Sequence, residues 1–343
     1  MNKNLKTKKL SLFLVLTTIL SIFFSNTIVF AANNLSSSVI FATNSQIKYF
    51  DFKKSQFTPP PRTDFSWFNK NIVSVHTPHH NGYDSIVTTN ESQYIEGKFQ
   101  YGDFNKDLEN EWISIYEYSL DSSTSHWEKL TRLKTNSDGR VKYTIPNSMK
   151  LAPGLHLIKL YVEGDGTEAN MYLQVLDTSK KYVIFDIDGT LTTSDFENVK
   201  EYTSELTNIN YIPQMYSNAN DVAKYYSSKG YNILYLTARP YWLTENSQRW
   251  LLEKGFPMGL VHTSYGSSLL IGQAAADYKA NYLKQLQTKG IQFCYGYGNA
   301  QSDVQAYSNV GINKSNIFII GSEAGVLGST PITTYSEHLK ILH

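Results

Sequence analysis

Cysteine is almost missing: Cys294 is the one thiol in 343 residues, so no internal disulfide can form. The fold must be stabilised by its core alone. No charge sign dominates either. Lysine and arginine number 31 against 30 aspartates and glutamates. Setting aside Lys3, Lys6, Lys8 and Lys9 leaves a net charge of about −3, which argues against non-specific nucleic-acid binding. No strongly basic amphipathic helix is evident, so tight docking on an anionic membrane is not expected from charge. His76, His79 and His80 cluster without cysteine, at a spacing that fits no zinc pattern, and read as a surface turn. A long apolar run occurs only at the N-terminus. There a basic start precedes Leu10–Phe24 and the small residues Ala31-Ala32, the make-up of a secretory signal peptide. Cleavage is expected near Ala31-Ala32, giving a secreted protein. An uncleaved N-terminal anchor on the outer face of a membrane is the alternative. No cysteine flanks that point, which argues against a lipid-modified N-terminus.

Tyrosine is abundant, with 25 residues, and suits exposed strands better than a helical bundle. The length suits two domains plus extras. After the leader, 1–32, residues 33–75 form an aromatic, proline-rich arm around Pro59-Pro60-Pro61, a stiff piece unfit for a central strand. It reads as a strap packed over a neighbouring domain or as a lipid- or ligand-contacting arm. Residues 76–178 switch to period two. Trp112–Tyr118, Val141–Ile145, Leu155–Val162 and Met171–Val175 read as strands, with turns at Ser137-Asp138-Gly139, Pro153-Gly154 and Gly164-Asp165-Gly166. This predicts an antiparallel, immunoglobulin-like β-sandwich.

Residues 179–343 alternate strand and helix. Buried strands are expected at Tyr182–Phe185, Asn232–Leu236, Gly259–His262, Gln292–Tyr295 and Ile317–Ile320. Helices are expected at Asn218–Lys229, Thr244–Lys254 and Ala274–Lys289, each stopped by a following glycine. The pattern predicts an α/β, doubly wound parallel sheet, with ligands bound beyond the carboxyl ends of its strands.

At such an end Asp186 and Asp188 follow Tyr182-Val-Ile-Phe185. In extended backbone they share a side, and two close carboxylates call for a cation. Gly189 permits a sharp exit, with the Thr190 hydroxyl at its rim. That arrangement suits phosphoryl transfer through an aspartyl phosphate. Leu236-Thr237-Ala238-Arg239-Pro240, Lys279 and Gly298-Asn299-Ala-Gln-Ser-Asp303 fall at comparable edges.

Taken together, Asp-x-Asp-Gly-Thr at 186–190, Thr237, Lys279 and Gly-Asn-x-x-x-Asp at 298–303 resemble the haloacid dehalogenase (HAD) superfamily of phosphotransferases. The resemblance implies Asp186 as nucleophile, Asp188 as general acid and base, and Thr237 and Lys279 on the phosphate, with Gly189 and Thr190 beside it. It implies Mg²⁺ held by Asp186, the Asp188 carbonyl and Asp303, with Asn299 as a further ligand. Asn299 stands where many members carry an acid, which removes one negative charge and predicts weaker metal affinity. The chemistry agrees, because a carboxylate attacks phosphorus only when the phosphate charge is offset, and two displacements replace one harder hydrolysis.

The longer stretches Asp186–Asp195, Leu236–Pro240 and Gly298–Tyr307 are similar to the lipin-type phosphatidate phosphatase domain. That domain also closes the retinal degeneration B-type phosphatidylinositol transfer proteins. Tyr101-Gly102, Ser137–Val141, Ile145-Pro146 and Val162–Asp165 resemble the sandwich preceding it there. The resemblance implies a Mg²⁺-dependent phosphatidate phosphatase yielding diacylglycerol and phosphate. A non-catalytic phosphatidate-binding module and a soluble phosphomonoester phosphatase are the alternatives. About 50 residues separate the aspartates from Thr237 and about 40 separate Thr237 from Lys279, too few for a large cap. The open site would admit a membrane-borne substrate, with Arg239 as a further substrate contact. Tyr241 and Trp242 form either an interfacial aromatic rim or the packing of the next helix.

Overall fold

From residue 81 the chain crosses back and forth in short strands whose inward side chains are apolar, as period-two patterning requires. The computed structural model describes residues 47–52, 57–73, 76–102, 105–193 and 212–342. The leader and arm residues 33–46 lie outside these. The described arm ends in helix α1, Trp67–Val73. Ten strands follow: β1 Asn81–Gly82, β2 Ser85–Thr88, β3 Tyr94–Lys98, β4 Gln100–Tyr101, β5 Lys106–Asp107, β6 Trp112–Ser119, β7 Glu128–Lys134, β8 Arg140–Thr144, β9 Gly154–Val162 and β10 Glu168–Leu176. They make a five-stranded sheet, β2-β10-β9-β6-β7, a three-stranded sheet, β1-β3-β8, and the small pair β4-β5. Ile95, Phe99, Ile113, Ile115, Leu160 and Leu173, drawn from both larger sheets and the β3–β4 link, share one buried cluster. The expectation of wholly antiparallel pairing needs correction, because β2 runs parallel to β10. The chain passes from one sheet to the other at Tyr83-Asp84, without the hairpin that enforces antiparallel pairing.

The second domain runs β11 Lys181–Phe185, α2 Ala219–Ser228, β12 Asn232–Pro240, α3 Thr244–Glu253, β13 Leu260–Ser264 and α4 Gly272–Thr288. It continues through β14 Gln292–Gly298, α5 Gln301–Ser308, β15 Ile317–Ile320, β16 Thr330–Ile332 and α6 Tyr335–Leu342. The sheet order is β13-β12-β11-β14-β15-β16, and every pairing is parallel. The winding direction reverses between β11 and β14, so their carboxyl ends flank the crevice. β16, α5 and α6 go beyond the expected elements. Pro331 confines β16 to the edge, where a missing backbone N–H breaks no ladder.

Tyrosine does not decorate exposed strands as expected. Tyr172, Tyr182, Tyr226, Tyr235, Tyr297 and Tyr335 are core residues. Their hydroxyls find partners inside: Tyr226 and Tyr297 share a 2.9 Å hydrogen bond, and Tyr235 donates to the Pro257 carbonyl at 2.7 Å. The histidine cluster is also not a plain surface turn. His80 is buried against Phe99 and Tyr101, with Nε2 2.9 Å from Thr167 Oγ1, while His79 Nδ1 meets Asn105 Oδ1 at 3.0 Å.

Several groups join the two domains. Asp84 is buried and accepts N–H groups from Tyr172 (2.8 Å) on β10, Val261 (2.9 Å) on β13 and the Gln248 side chain (3.2 Å) on α3. Phe50 of the arm packs on Tyr172 and on Tyr235, one from each domain, and Phe57 packs on Tyr116, Trp127 and Tyr161. For its described part the arm is therefore a strap. Tyr241 and Trp242 are buried with Tyr83, and the Tyr241 hydroxyl donates to Gln100 Oε1 at 2.5 Å. They seal the domain junction and form no exposed rim.

Candidate active site

Asp186 follows the last residue of β11, where the buried strand Tyr182–Phe185 and the core residue Ile187 fix its backbone. Gly189, at φ +66°, turns the chain away, and its N–H donates to Thr192 Oγ1 at 3.0 Å. The Thr190 hydroxyl reaches back to donate to Asp186 Oδ2 at 2.9 Å. On the other side Lys279, in the second turn of α4, donates to Asp186 Oδ1 at 2.6 Å and to Asp303 Oδ1 at 2.7 Å. Asp303 caps the start of α5, where its Oδ2 accepts the N–H groups of Asn299 and Ala300 at 3.1 and 3.2 Å. Gly298 makes this approach feasible: a Cβ there would lie 2.4 Å from that of Asp303.

Asp188 faces the same cavity but has its own holders. The Thr237 hydroxyl donates to Asp188 Oδ2 at 3.0 Å, and Arg239 places Nε 3.1 Å from Oδ2 and Nη2 2.9 Å from Oδ1. Thr237 and Arg239 lie two residues apart where β12 shifts register between Leu236 and Pro240, and so share a side. Arg239 is fully buried, and its Nη1 donates to Ser247 Oγ at 2.9 Å. The structure thus places Arg239 behind Asp188, not in the open cavity as a substrate-contacting residue. The Thr237 and Thr190 hydroxyls are likewise engaged with the two aspartates. Ser247 carried no signal in the sequence, because a lone serine in a helix usually bonds its own backbone.

A cavity of about 200 Å³ opens over these groups, lined by Asp186, Asp188, Lys279, Asn299 and Asp303 on its polar side and by Ala238, Leu269, Leu270, Ile271 and Ala275 elsewhere. The apolar segment 269–271 is too short to carry a pattern in the sequence. Its position just before the Lys279 helix was the available signal. The link between β13 and α4 holds only residues 265–271, so that insertion point carries no cap. The link after β11 includes residues 194–211, outside the described residues.

With all three carboxyls ionised, negative charge exceeds positive charge in this cluster. Burial, the largest effect, pushes the Asp186 carboxyl up to about 8; the Lys279 ammonium opposes this, and the Asp303 and Asp188 charges add to it. Lys279 loses to burial but gains more from its two carboxylates, which hold it cationic well above ordinary lysine. Three carboxylates thus face two buried cations, and the donors around the cavity are oxygens. Both features fit a hard dication such as Mg²⁺ in charge and in ligand type. Among the described residues no three acidic, imidazole or thiol groups converge on one point, since Lys279 stands between Asp186 and Asp303.

Two family models match the chain: the beta-sandwich domain of PITM 1-3 over residues 78–175 and the LNS2 domain of PITM 1-3 over residues 183–321. Similar proteins include retinal degeneration B of Drosophila melanogaster, 29% identical over 79% of this chain and 20% of that one. The human membrane-associated phosphatidylinositol transfer proteins 2 and 3 are 31% and 32% identical. They cover 81% and 71% of this chain, and 20% and 24% of their own lengths. This chain therefore spans about a fifth to a quarter of the relatives it matches. A HAD-superfamily hydrolase structure from Geobacter sulfurreducens aligns at 13% identity over 48% of this chain and 97% of its own, with a TM-score of 0.32, too slight a likeness to carry an argument. Over these two matched stretches, the greater part of its length, the chain is a β-sandwich domain followed by an LNS2 domain.

Proposed function

We propose that the chain is an exported, Mg²⁺-dependent phosphomonoesterase working through an aspartyl phosphate, with phosphatidate as its substrate and diacylglycerol and phosphate as products. The observation that carries this reading is the pair of separately held carboxylates, Asp186 on Lys279 and Thr190, Asp188 on Arg239 and Thr237, facing one cavity. Asp186, as its carboxylate, attacks phosphorus as the bond to the leaving alkoxide breaks, and Asp188, entering this step protonated, supplies that alkoxide's proton. Asp188 then takes a proton from water, which attacks the phosphoryl group and returns Asp186 to its carboxylate. General acid–base help of this kind contributes about 10²–10⁴-fold. Lys279 offsets phosphate charge, and Asp186 and Asp303, with Asn299 and the Asp188 carbonyl, would hold Mg²⁺. When bound, Mg²⁺ supplies Lewis-acid neutralisation of the phosphoryl oxygens. Export rests on residues 1–32.

A second reading is favoured by the similarity to membrane-associated phosphatidylinositol transfer proteins: a module that binds phosphatidate without turning it over. Phosphate release from phosphatidate vesicles and from p-nitrophenyl phosphate separates the two, measured with Mg²⁺, with chelator and with Asp186→Asn. Hydrolysis dependent on Asp186 supports the enzyme. Vesicle binding with no phosphate released above the Asp186→Asn background supports the binder and sinks the enzyme.

A further inference from the structure

Beside the cavity, residues 265–271 run Tyr-Gly-Ser-Ser-Leu-Leu-Ile with no charge. Leu269 is 40% and Ile271 74% exposed. The segment is tied down by its backbone. The Gly266 carbonyl accepts the Tyr241 N–H at 3.3 Å, the Ser267 carbonyl accepts the Trp242 indole N–H at 3.1 Å, and the Leu270 N–H donates to the Ala238 carbonyl at 3.3 Å. Two large aliphatic side chains are thereby displayed to water on an anchored loop, an unfavourable arrangement unless something covers them.

The same residues wall the cavity that holds Asp186 and Lys279. Polarity therefore grades within one concavity from a charged floor to an apolar, exposed mouth. A volume of about 200 Å³ takes a phosphate and its first carbons, below the range typical of drug-sized ligands. The remainder of a larger amphiphile must lie along Leu269 and Ile271. A free sugar phosphate has no apolar portion to match that rim, whereas a phospholipid in its layer has one.

We propose that Leu269 and Ile271 insert into the acyl boundary of a phospholipid layer and present a lipid phosphate to the cavity. This deepens the phosphatase reading and rests on it only for what happens to the phosphate. The test uses the full chain and Leu269→Ser/Ile271→Ser, with Ile271→Trp as a gain variant. Sedimentation with phosphatidylcholine vesicles, with and without phosphatidate, reads binding. Turnover of phosphatidate relative to p-nitrophenyl phosphate reads selectivity.

The serine variant should bind vesicles about tenfold or more weakly and lose phosphatidate turnover by that factor beyond any change with the soluble ester, while Ile271→Trp binds more tightly. Equal vesicle binding by all three proteins overturns the inference. So does a wild-type dimer that the serine variant dissolves without any change in vesicle binding, since the rim would then cover a second copy. A wild type that binds vesicles through the rim yet releases no phosphate from either substrate removes the phosphatase reading and leaves this one standing.

Discussion

Replacing Arg239 tests whether the guanidinium acts on substrate or on Asp188. It is fully buried and spends three N–H groups on Asp188 and Ser247. In Arg239→Met the apolar volume is largely kept while Asp188 loses its charge partner. Removing one member of a buried pair costs about 3–5 kcal/mol. Asp188 keeps 14% side-chain exposure on the cavity wall, so water recovers part of this, and about 2–3 kcal/mol of destabilisation is expected. Urea unfolding followed by tryptophan fluorescence measures it. The double variant Arg239→Met/Asp188→Asn should lose less than the sum of its singles, because the stranded charge is gone. In turnover, a displaced general acid lowers kcat by about 10–100-fold at nearly constant KM for a soluble ester. Arg239→Lys should fall in between, since one ammonium cannot reproduce a two-point fork. An unfolding free energy unchanged in Arg239→Met, or a raised KM at full kcat, would refute the positioning role.

Three further outcomes follow from the packing. Burial pushes His80 and His262 down to about 3, against an ordinary 6.5. The unfolded chain therefore binds protons below pH 6.5 that the folded chain refuses. Their contribution is intact above that pH and is lost as pH falls toward 3, at about 1.4 kcal/mol per pH unit per histidine. His262 lies flat on Tyr282 at 3.4 Å, so His262→Phe keeps the stack, and its stability should fall less steeply between pH 6.5 and 4.5 in denaturant titrations. Phe50→Ala, which removes the ring between Tyr172 and Tyr235, should cost about 3–5 kcal/mol, and a midpoint unchanged from wild type would show that the strap carries no stability. Gly298→Ala places a Cβ 2.4 Å from that of Asp303 and should cost about 1–3 kcal/mol while lowering Mg²⁺ affinity by calorimetry.

The sequence made the α/β domain legible where strands are buried on both faces, because Val183-Ile-Phe185 and Ile317–Ile320 are apolar throughout and the glycines after α2, α3 and α4 punctuate them. β16, three residues with a central proline, has too little pattern to read, and only its neighbour β15 places it. The parallel pairing of β2 with β10 was equally hidden, since local alternation records which face a side chain takes and nothing about the direction of its partner. Tyrosine misled for a related reason: its hydroxyl suits an exposed strand, but it is also tolerated in a core whenever another hydroxyl or a carbonyl such as that of Pro257 waits within reach.

In the cavity, motif spacing brought Asp186, Asp188, Lys279, Asn299 and Asp303 together, because consecutive strand ends of a parallel sheet share an edge. What spacing could not convey was allegiance. Thr237 and Arg239 sit at that same edge, and the sequence reads equally well with their polar groups turned to a ligand. The register shift after Leu236 turns them toward Asp188. The consequence is a division of labour in which Arg239 and the threonine hydroxyls orient two carboxylates, and the face toward a ligand is formed by those carboxylates, Lys279, Asn299 and the apolar rim at 269–271. For the proposed phosphatase, specificity depends on the rim, since the charged floor would recognise only what every phosphate ester has in common.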